Sequence, residues 1–317
     1  MGAADTVTKA YMRENAVFAD AFNYVIYAGR SVIDPDSLKE LDTTEIALPF
    51  GDDNKDEAVQ KYRDILKSAV IKQDENASYV LLGIENQTDI HYAMPVRNLI
   101  YDALQYGKQV SDISVRHRKE AGGRHTREEY LSGFYKGDRI TPVITLVVHF
   151  GADEWDGPLS LREMMDVKDP DILRMIPDYR IPLIDPARMN WDDLSKLNTS
   201  LREVMGYIKY SKDSEKLMAF LGGSARVWIE RNAAQVIKAI TKTPIEIPEG
   251  DEEINMCEAI EKMMSDSKSL GRAEGKTEGK LSAFAELVKD GLLSMKDAAA
   301  RMNMTEEEFR SAMKKMA

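Results

Sequence analysis

Apolar and polar positions change period along the chain, and each change marks an element. From Thr8 to Tyr27 apolar residues recur every three to four positions, with Phe18, Phe22 and Val25 on one face. That spacing predicts one helix, closed by Gly29 as a C-terminal cap. Val32-Ile33-Asp34-Pro35 and the acidic Leu41–Ile46 follow as an extended connection, and the polar Gly51–Glu57 is a loop or a helix start. The period then drops to two. Ile65, Ala69 and Ile71 mark a first strand and Val80, Leu82 and Ile84 a second. The polar stretch Gln73-Asp74-Glu75-Asn76 between them predicts an antiparallel hairpin.

Helical spacing returns after Pro95, which suits a first helical turn. A helix is expected from Val96 to about Val110, with Val96, Leu99, Ile100, Ala103, Leu104 and Tyr106 as its apolar face. The β-branched run Pro142–Gly151 predicts a strand buried on both faces. The order helix, strand, strand, helix, strand gives an α/β or α+β core. From Trp155 to about Thr243 the pattern is helical but broken by Pro170, Pro177, Pro182 and Pro186, with Leu197–Tyr210 and Ala225–Ile240 its clearest helices. Thr243–Gly250 is extended, and Gly271–Lys280 repeats glycine every fourth residue, which predicts a frayed helix or a flexible linker.

The tail carries its own signals. Leu281–Lys289 is amphipathic, Asp290-Gly291 stops it, and Ser294 caps a helix with Ala298, Ala299 and Met302. Thr305 and Glu308 form a capping box for a last helix. Short helices joined this way resemble a helix-turn-helix. Glu306, Glu307 and Glu308 open the last one, however, where a DNA reader would present neutral or basic groups. A packing or oligomerisation module fits better, with Met302, Met304, Met313 and Met316 as adaptable filling.

Composition narrows the class. Hydrophobic residues at 43% and charged residues at 31% describe a soluble protein of 317 residues with ample core. No apolar run is long enough to span a bilayer, and no signal-peptide pattern follows Met1. Cys257 is the sole cysteine, which excludes an internal disulfide or a cysteine-based metal site and fits a reducing cytoplasm. The net charge of −11 argues against a surface coated for nucleic acid, yet leaves room for a local basic patch. One exists in Val115-Arg116-His117-Arg118-Lys119 and Arg124–Arg127, with Gly122 and Gly123 between, which predicts a loop. It is either solvated or a phosphate contact.

The hairpin carries the candidate chemistry. Its midpoint sets Asp64 opposite Glu85 and Gln87, and residues two apart on a strand share a face. Two acids and an amide converging at a sheet end could hold a divalent metal. The four histidines are scattered and suggest no histidine pair.

Val17–Val25, Gly29-Arg30-Ser31-Val32-Ile33, Tyr62-Arg63-Asp64-Ile65-Leu66, Gly83-Ile84-Glu85-Asn86-Gln87 and His91–Arg97, together with the glycine-repeat tail, resemble the recombination-promoting nuclease, or putative transposase, family. Its members are similar to the PD-(D/E)XK nucleases. The resemblance implies an α/β, restriction-endonuclease-like fold: a central mixed sheet flanked by helices. A nuclease core would occupy residues 1–155, a mainly helical extension 156–250, a helical or flexible glycine-repeat linker 251–280, and a helix-turn-helix-like tail 281–317.

The same resemblance puts Asp64 and Glu85 at the two catalytic acids, with Gln87 where many relatives carry lysine. Asp64, Glu85 and the carbonyl of Asn86 would hold Mg²⁺ or Mn²⁺, and Gln87 would position the attacking water. Asp20 either completes the site or faces solvent. Arg97 either clamps a phosphate or pairs with a nearby acid, and Arg116, Arg118 and Lys119 are further phosphate candidates. The expected activity is metal-dependent DNA cleavage linked to recombination or mobile elements. The alternatives are a weak or inactive DNA- or protein-binding assembly factor and a hydrolase of nucleotides or RNA. DNA is the expected partner, in a cytoplasmic homo-oligomer, a dimer first.

Overall fold

The computed structural model describes residues 2–42, 44–47, 59–62, 64–73, 76–119, 125–222, 228–250, 252–256, 258–260 and 279–315. It divides into two compact units, Met1–Met256 and Cys257–Ala317.

The larger unit begins with α1 (Ala3–Arg13) and α2 (Asn15–Tyr27), where one continuous helix was expected. The break falls at Glu14, whose ψ of 126° is extended. Its cause lies elsewhere in the chain. Lys67 donates to the Arg13 carbonyl and to Asn15 Oδ1, and its ammonium sits 4.8 Å above the Phe18 ring. The Arg13 carbonyl thereby gains a partner outside a helical ladder. Phe18 and Phe22 are buried as expected, while Val25 is half-buried. The left-handed cap is Ala28 at φ 53°, followed by Gly29 at φ 87°. A Cβ on Gly29 would lie 2.6 Å from the Lys196 carbonyl oxygen, so this position requires glycine.

The strands are β1 (Lys39–Glu40), β2 (Thr44–Ala47), β3 (Val59–Tyr62), β4 (Ile65–Gln73), β5 (Asn76–Gln87), β6 (Val143–His149) and β7 (Leu183–Ile184). Five form one mixed sheet in the order β1-β4-β5-β6-β7, and β2 with β3 makes a separate ribbon. The expected hairpin is present: β4 runs antiparallel to β5 with Ile65 opposite Ile84 and Gln73 opposite Asn76. Beyond it β6 is parallel to β5, and β7 parallel to β6. Ile65, Lys67, Ala69, Val80, Leu82 and Ile84 share a buried face, and the contacts of Lys67 put that face against α1 and α2.

The crossover from β5 to β6 is α3 (Met94–Lys119), which runs beyond the expected end at Val110. Val115–Lys119 therefore stand on its last turns and not in a loop. Its buried face also differs from the apolar stripe. Asn98, Tyr101, Asp102 and Gln105 are buried, whereas Leu99, Ile100 and Leu104 are half-buried and Ala103 is exposed. Asp102 accepts from Thr145 Oγ1 and from the Tyr179 hydroxyl, both at 2.6 Å. The Gln109 side chain exchanges hydrogen bonds with the Thr141 backbone at 2.6 and 3.0 Å. A polar zipper fixes this helix to the sheet. After it comes α4 (Arg127–Ser132), whose Thr126 and Glu129 form a capping box.

The segment after β6 contains α5 (Pro170–Met175), α6 (Trp191–Ser195), α7 (Leu201–Tyr210), α8 (Ser214–Gly222), β8 (Trp228–Glu230), α9 (Arg231–Thr241) and β9 (Glu253–Asn255). Trp228–Glu230 was expected to be helical. It pairs antiparallel with Glu253–Asn255, burying Ile229 between exposed neighbours in the alternation of a strand. Ala225–Val227 lie outside the described residues, as do Gly51–Glu57.

In the smaller unit, α10 (279–289), α11 (Met295–Arg301) and α12 (Glu306–Lys315) follow the expected sequence. Gly291 turns at φ 72°, and Ser294 accepts from the Asp297 N–H. Thr305 and Glu308 exchange capping bonds at 2.8 and 3.2 Å. Phe309, Ala298 and Ala299 form the centre, with Met302, Met304 and Met313 around them. Cys257, Met316 and residues 261–278 lie outside the described residues. Among the described residues, no helix is long and apolar enough to cross a membrane.

Candidate functional site

Asp64 stands just before β4 and Glu85 near the end of β5, one step beyond the last paired residues Ile65 and Ile84. Each acid is bound to the backbone beside the other. The Asp64 N–H donates to Glu85 Oε1 at 3.3 Å, and the Asn86 N–H donates to Asp64 Oδ2 at 2.8 Å. The fold therefore brings together the two acids that the hairpin register placed opposite each other.

Two cations complete the cluster. Lys9 of α1 reaches Asp64 Oδ1 at 2.8 Å, and Arg97 in the first turns of α3 reaches Glu85 Oε2 at 2.9 Å. Arg97 also donates to the Tyr101 hydroxyl at 3.3 Å. Side-chain exposure rises outward, from 0% at Glu85 and 9% at Asp64 to 22% at Lys9 and 30% at Arg97. An approaching anion would meet the cations first. Burial acts to lower the pKa of Lys9, but the hydrogen bond and charge of Asp64, with Asp5, outweigh it and leave the ammonium raised. Arg97 follows the same balance, with burial opposed by the charge of Glu85. Burial, then the Glu85 charge, raises the Tyr101 phenol.

Gln87 lies on the Glu85 face, half-buried, level with His149 on β6. Its carbonyl accepts from the Phe150 N–H at 2.8 Å on the β6 side. Neighbouring backbone groups alternate edges, so the Asn86 main chain looks the other way, toward Asp64. The Asn86 side chain points to the opposite sheet face. There its Oδ1 and Nδ2 are buried without a hydrogen-bond partner among the described residues. Only its main chain is near the acids. Two carboxylates beside a main-chain edge suit a hard divalent cation, which accepts one or two protein carboxylates with water and phosphate. Among the described residues no group of three or more His, Cys, Asp or Glu could hold a metal.

Asp20 is neither solvent-facing nor joined to this cluster. It is buried and accepts from the Asn198 and Thr199 N–H groups at 2.8–2.9 Å and from Thr199 Oγ1 at 2.7 Å. That clamp holds Asn198 and Thr199 out of helix, and α7 starts at Leu201 instead of Leu197. Arg116, Arg118 and Lys119 are exposed at the far end of α3, about 30 Å from Arg97 at 1.5 Å per residue. They do not join the acids. Lys9 and Tyr101 are the members that the sequence reading missed. Lys9 gave no local signal, but Tyr101 sits one helical turn after Arg97, a detectable spacing.

Among family models, the one described as "Putative transposase, YhgA-like" matches residues 35–234, well over half of the chain. The chain belongs to this family. The match contains Asp64, Glu85, Asn86, Gln87 and Arg97, whereas Lys9, Asp20 and the tail lie outside it. No curated protein and no solved structure matches the chain. The YhgA-like assignment therefore rests on the segment that holds both acids and the whole of α3.

Proposed function

We propose that this YhgA-like protein is a divalent-metal-dependent DNA endonuclease serving recombination or mobile-element chemistry. The observation that carries the reading is the mutual latch of Asp64 and Glu85 beneath a rim formed by Lys9 and Arg97. A bound Mg²⁺ or Mn²⁺ would supply Lewis acidity and an activated water. Asp64 and Glu85 would hold the ion, and their backbone latch fixes the spacing of the acids before the substrate arrives. Arg97, steadied by Tyr101, takes a phosphate oxygen that enters over the rim. Gln87 orients a water by hydrogen bonding, and Lys9 gives the site the ammonium that Gln87 lacks.

One observation favours a second reading. Lys9 and Arg97 already neutralise both acids, as in a site that has exchanged metal for internal ion pairs. The protein would then be a DNA-binding assembly factor with weak cleavage or none.

Plasmid nicking in Mg²⁺ or Mn²⁺ separates the two, with wild type compared against Asp64→Ala, Glu85→Ala and Gln87→Ala. The nuclease reading expects activity in wild type and loss of at least a hundredfold in both acid variants. Equal nicking by wild type and the acid variants overturns it. DNA binding without cleavage by any of the proteins selects the assembly factor.

A further inference from the structure

Far from the acids, the C-terminal end of α3 and the start of α4 enclose a cavity of about 510 Å³. Its described lining includes His117, Arg118, His125, Glu129, Tyr130 and Tyr135. Histidines eight residues apart in sequence meet here across one tyrosine. His117 stacks on Tyr135 with ring centres 3.7 Å apart and an interplanar angle of 18°. His125 lies 5.8 Å from Tyr135 and 5.6 Å from Tyr130, each at 15°. Four rings thus form one near-parallel ladder.

Asp138 fixes the inner end of that ladder. Its Oδ2 binds His117 Nε2 at 2.8 Å and accepts from the Tyr135 N–H at 2.6 Å, so one carboxylate sets both rings. The outer end is open: Tyr130 is 71% and its neighbour Leu131 72% exposed. Arg118 lines the cavity, and the exposed Arg116, Lys119 and Arg127 lie within two residues of its lining in sequence, on a chain whose net charge is −11. Among the described lining residues the one acid is Glu129, which accepts from the Thr126 and Lys136 N–H groups at 2.9 and 3.0 Å. Those two bonds occupy its carboxylate and keep it ionised, so the phosphates are left to the basic side chains.

We infer that this ladder and its basic rim are a binding site for unpaired nucleotides, with a base stacked on Tyr130 and the neighbouring phosphates held by Arg118 and Lys119. The inference rests on the DNA-directed reading above and names the form of DNA engaged. The fixed π-faces suit any unstacked base, whereas the bases of an intact duplex are already stacked. The charge belongs to the phosphates, which makes the site salt-dependent and tolerant of sequence. A helix carrying only basic residues at its C-terminus would answer its own dipole. The exposed, parallel aromatic series is what points to a base.

Fluorescence anisotropy of the full chain tests this with a labelled oligothymidylate, an abasic strand of equal length and a duplex. Wild type should bind the oligothymidylate more tightly than the abasic strand or the duplex. Tyr130→Ala should weaken oligothymidylate binding about tenfold, Tyr130→Phe should keep it, and Arg118→Ala should weaken both single strands alike. Unchanged affinity in Tyr130→Ala, an equal loss on the abasic strand, or no binding of any single strand overturns the proposal. Displacement of nothing but an acidic aromatic peptide would give the groove to a protein and overturn it as well. Tyr130-dependent binding without cleavage sinks only the nuclease reading. Cleavage that needs Asp64 while binding ignores Tyr130 sinks only this one.

Discussion

Glu85 accepts a hydrogen bond from the backbone N–H of Asp64 at 3.3 Å, across a hairpin that separates the two acids by 21 residues. The complementary bond, from the Asn86 N–H to Asp64, means that neither carboxylate moves without the other. Bringing two negative charges together costs energy, and here Lys9 and Arg97 offset it. A divalent ion would do the same work from the open side. On the proposed reading, metal and internal cations would compete for the acids.

That competition gives a readout independent of cleavage. Binding to the folded state alone stabilises by about 2.7 kcal/mol at a hundredfold excess over Kd. For a chain of this size that is a rise of about 4 °C in Tm. Mn²⁺ should produce it in wild type and produce none in Asp64→Ala, as followed by differential scanning fluorimetry. A shift of equal size in both proteins would place the ion elsewhere.

The polar zipper under α3 predicts an unusual sensitivity. Asp102→Ala removes the acceptor shared by Thr145 and Tyr179 and leaves one buried and one part-buried hydroxyl without it. Each unsatisfied group costs about 1–3 kcal/mol. Urea unfolding of this variant should show a loss of about 3 kcal/mol, more than an exposed alanine substitution on α3 would cause. A loss below about 0.5 kcal/mol would mean that the zipper contributes little.

The same helix shows where the sequence was legible and where it was not. Strand alternation at Ile65, Ala69, Ile71, Val80, Leu82 and Ile84 is a period-two signal around a polar turn, so the hairpin register and the meeting of Asp64 with Glu85 could be read directly. On α3 the polar set Asn98, Asp102, Gln105 and the apolar set Val96, Leu99, Ile100 share the same three-to-four spacing. Hydropathy chose the wrong one because the sheet offers it Thr145 and the backbone of Thr141, and Tyr179 also reaches Asp102. Strands such as Leu183–Ile184 are too short to show any period. Lys9 and Asp20 depend on partners 55 and 178 residues away, which no local pattern encodes.

Asp20 stands apart from the Asp64–Glu85 pair as a structural acid. Its carboxylate holds the Asn198 and Thr199 backbone, and Asp20→Ala leaves those part-buried donors without it. A charged acceptor of this kind contributes about 1.5–3 kcal/mol per hydrogen bond, with losses that do not simply add. We expect Asp20→Ala to lower Tm clearly while the surviving folded protein keeps wild-type Mn²⁺ affinity, measured by calorimetry below the transition. A selective loss of ion affinity with Tm unchanged would return Asp20 to the metal site.

Lys9 supplies a pH signature. Its pKa in the folded chain lies above 10.5: burial acts to lower it, but Asp64 and Asp5 outweigh burial. A raised folded pKa means that the native state binds this proton more tightly than the unfolded chain. The contribution is therefore complete below 10.5 and disappears as pH climbs through the folded value. Lys9→Met should lower stability by about 1 kcal/mol from neutral pH up to the ordinary lysine range, in metal-free buffer. Above 10.5 the wild-type and variant curves should converge, because the neutral amine no longer offsets Asp64. Urea unfolding across that range decides the matter. A gap that stays constant through strongly alkaline pH would show that Lys9 acts through packing of its stem and not through its charge on Asp64.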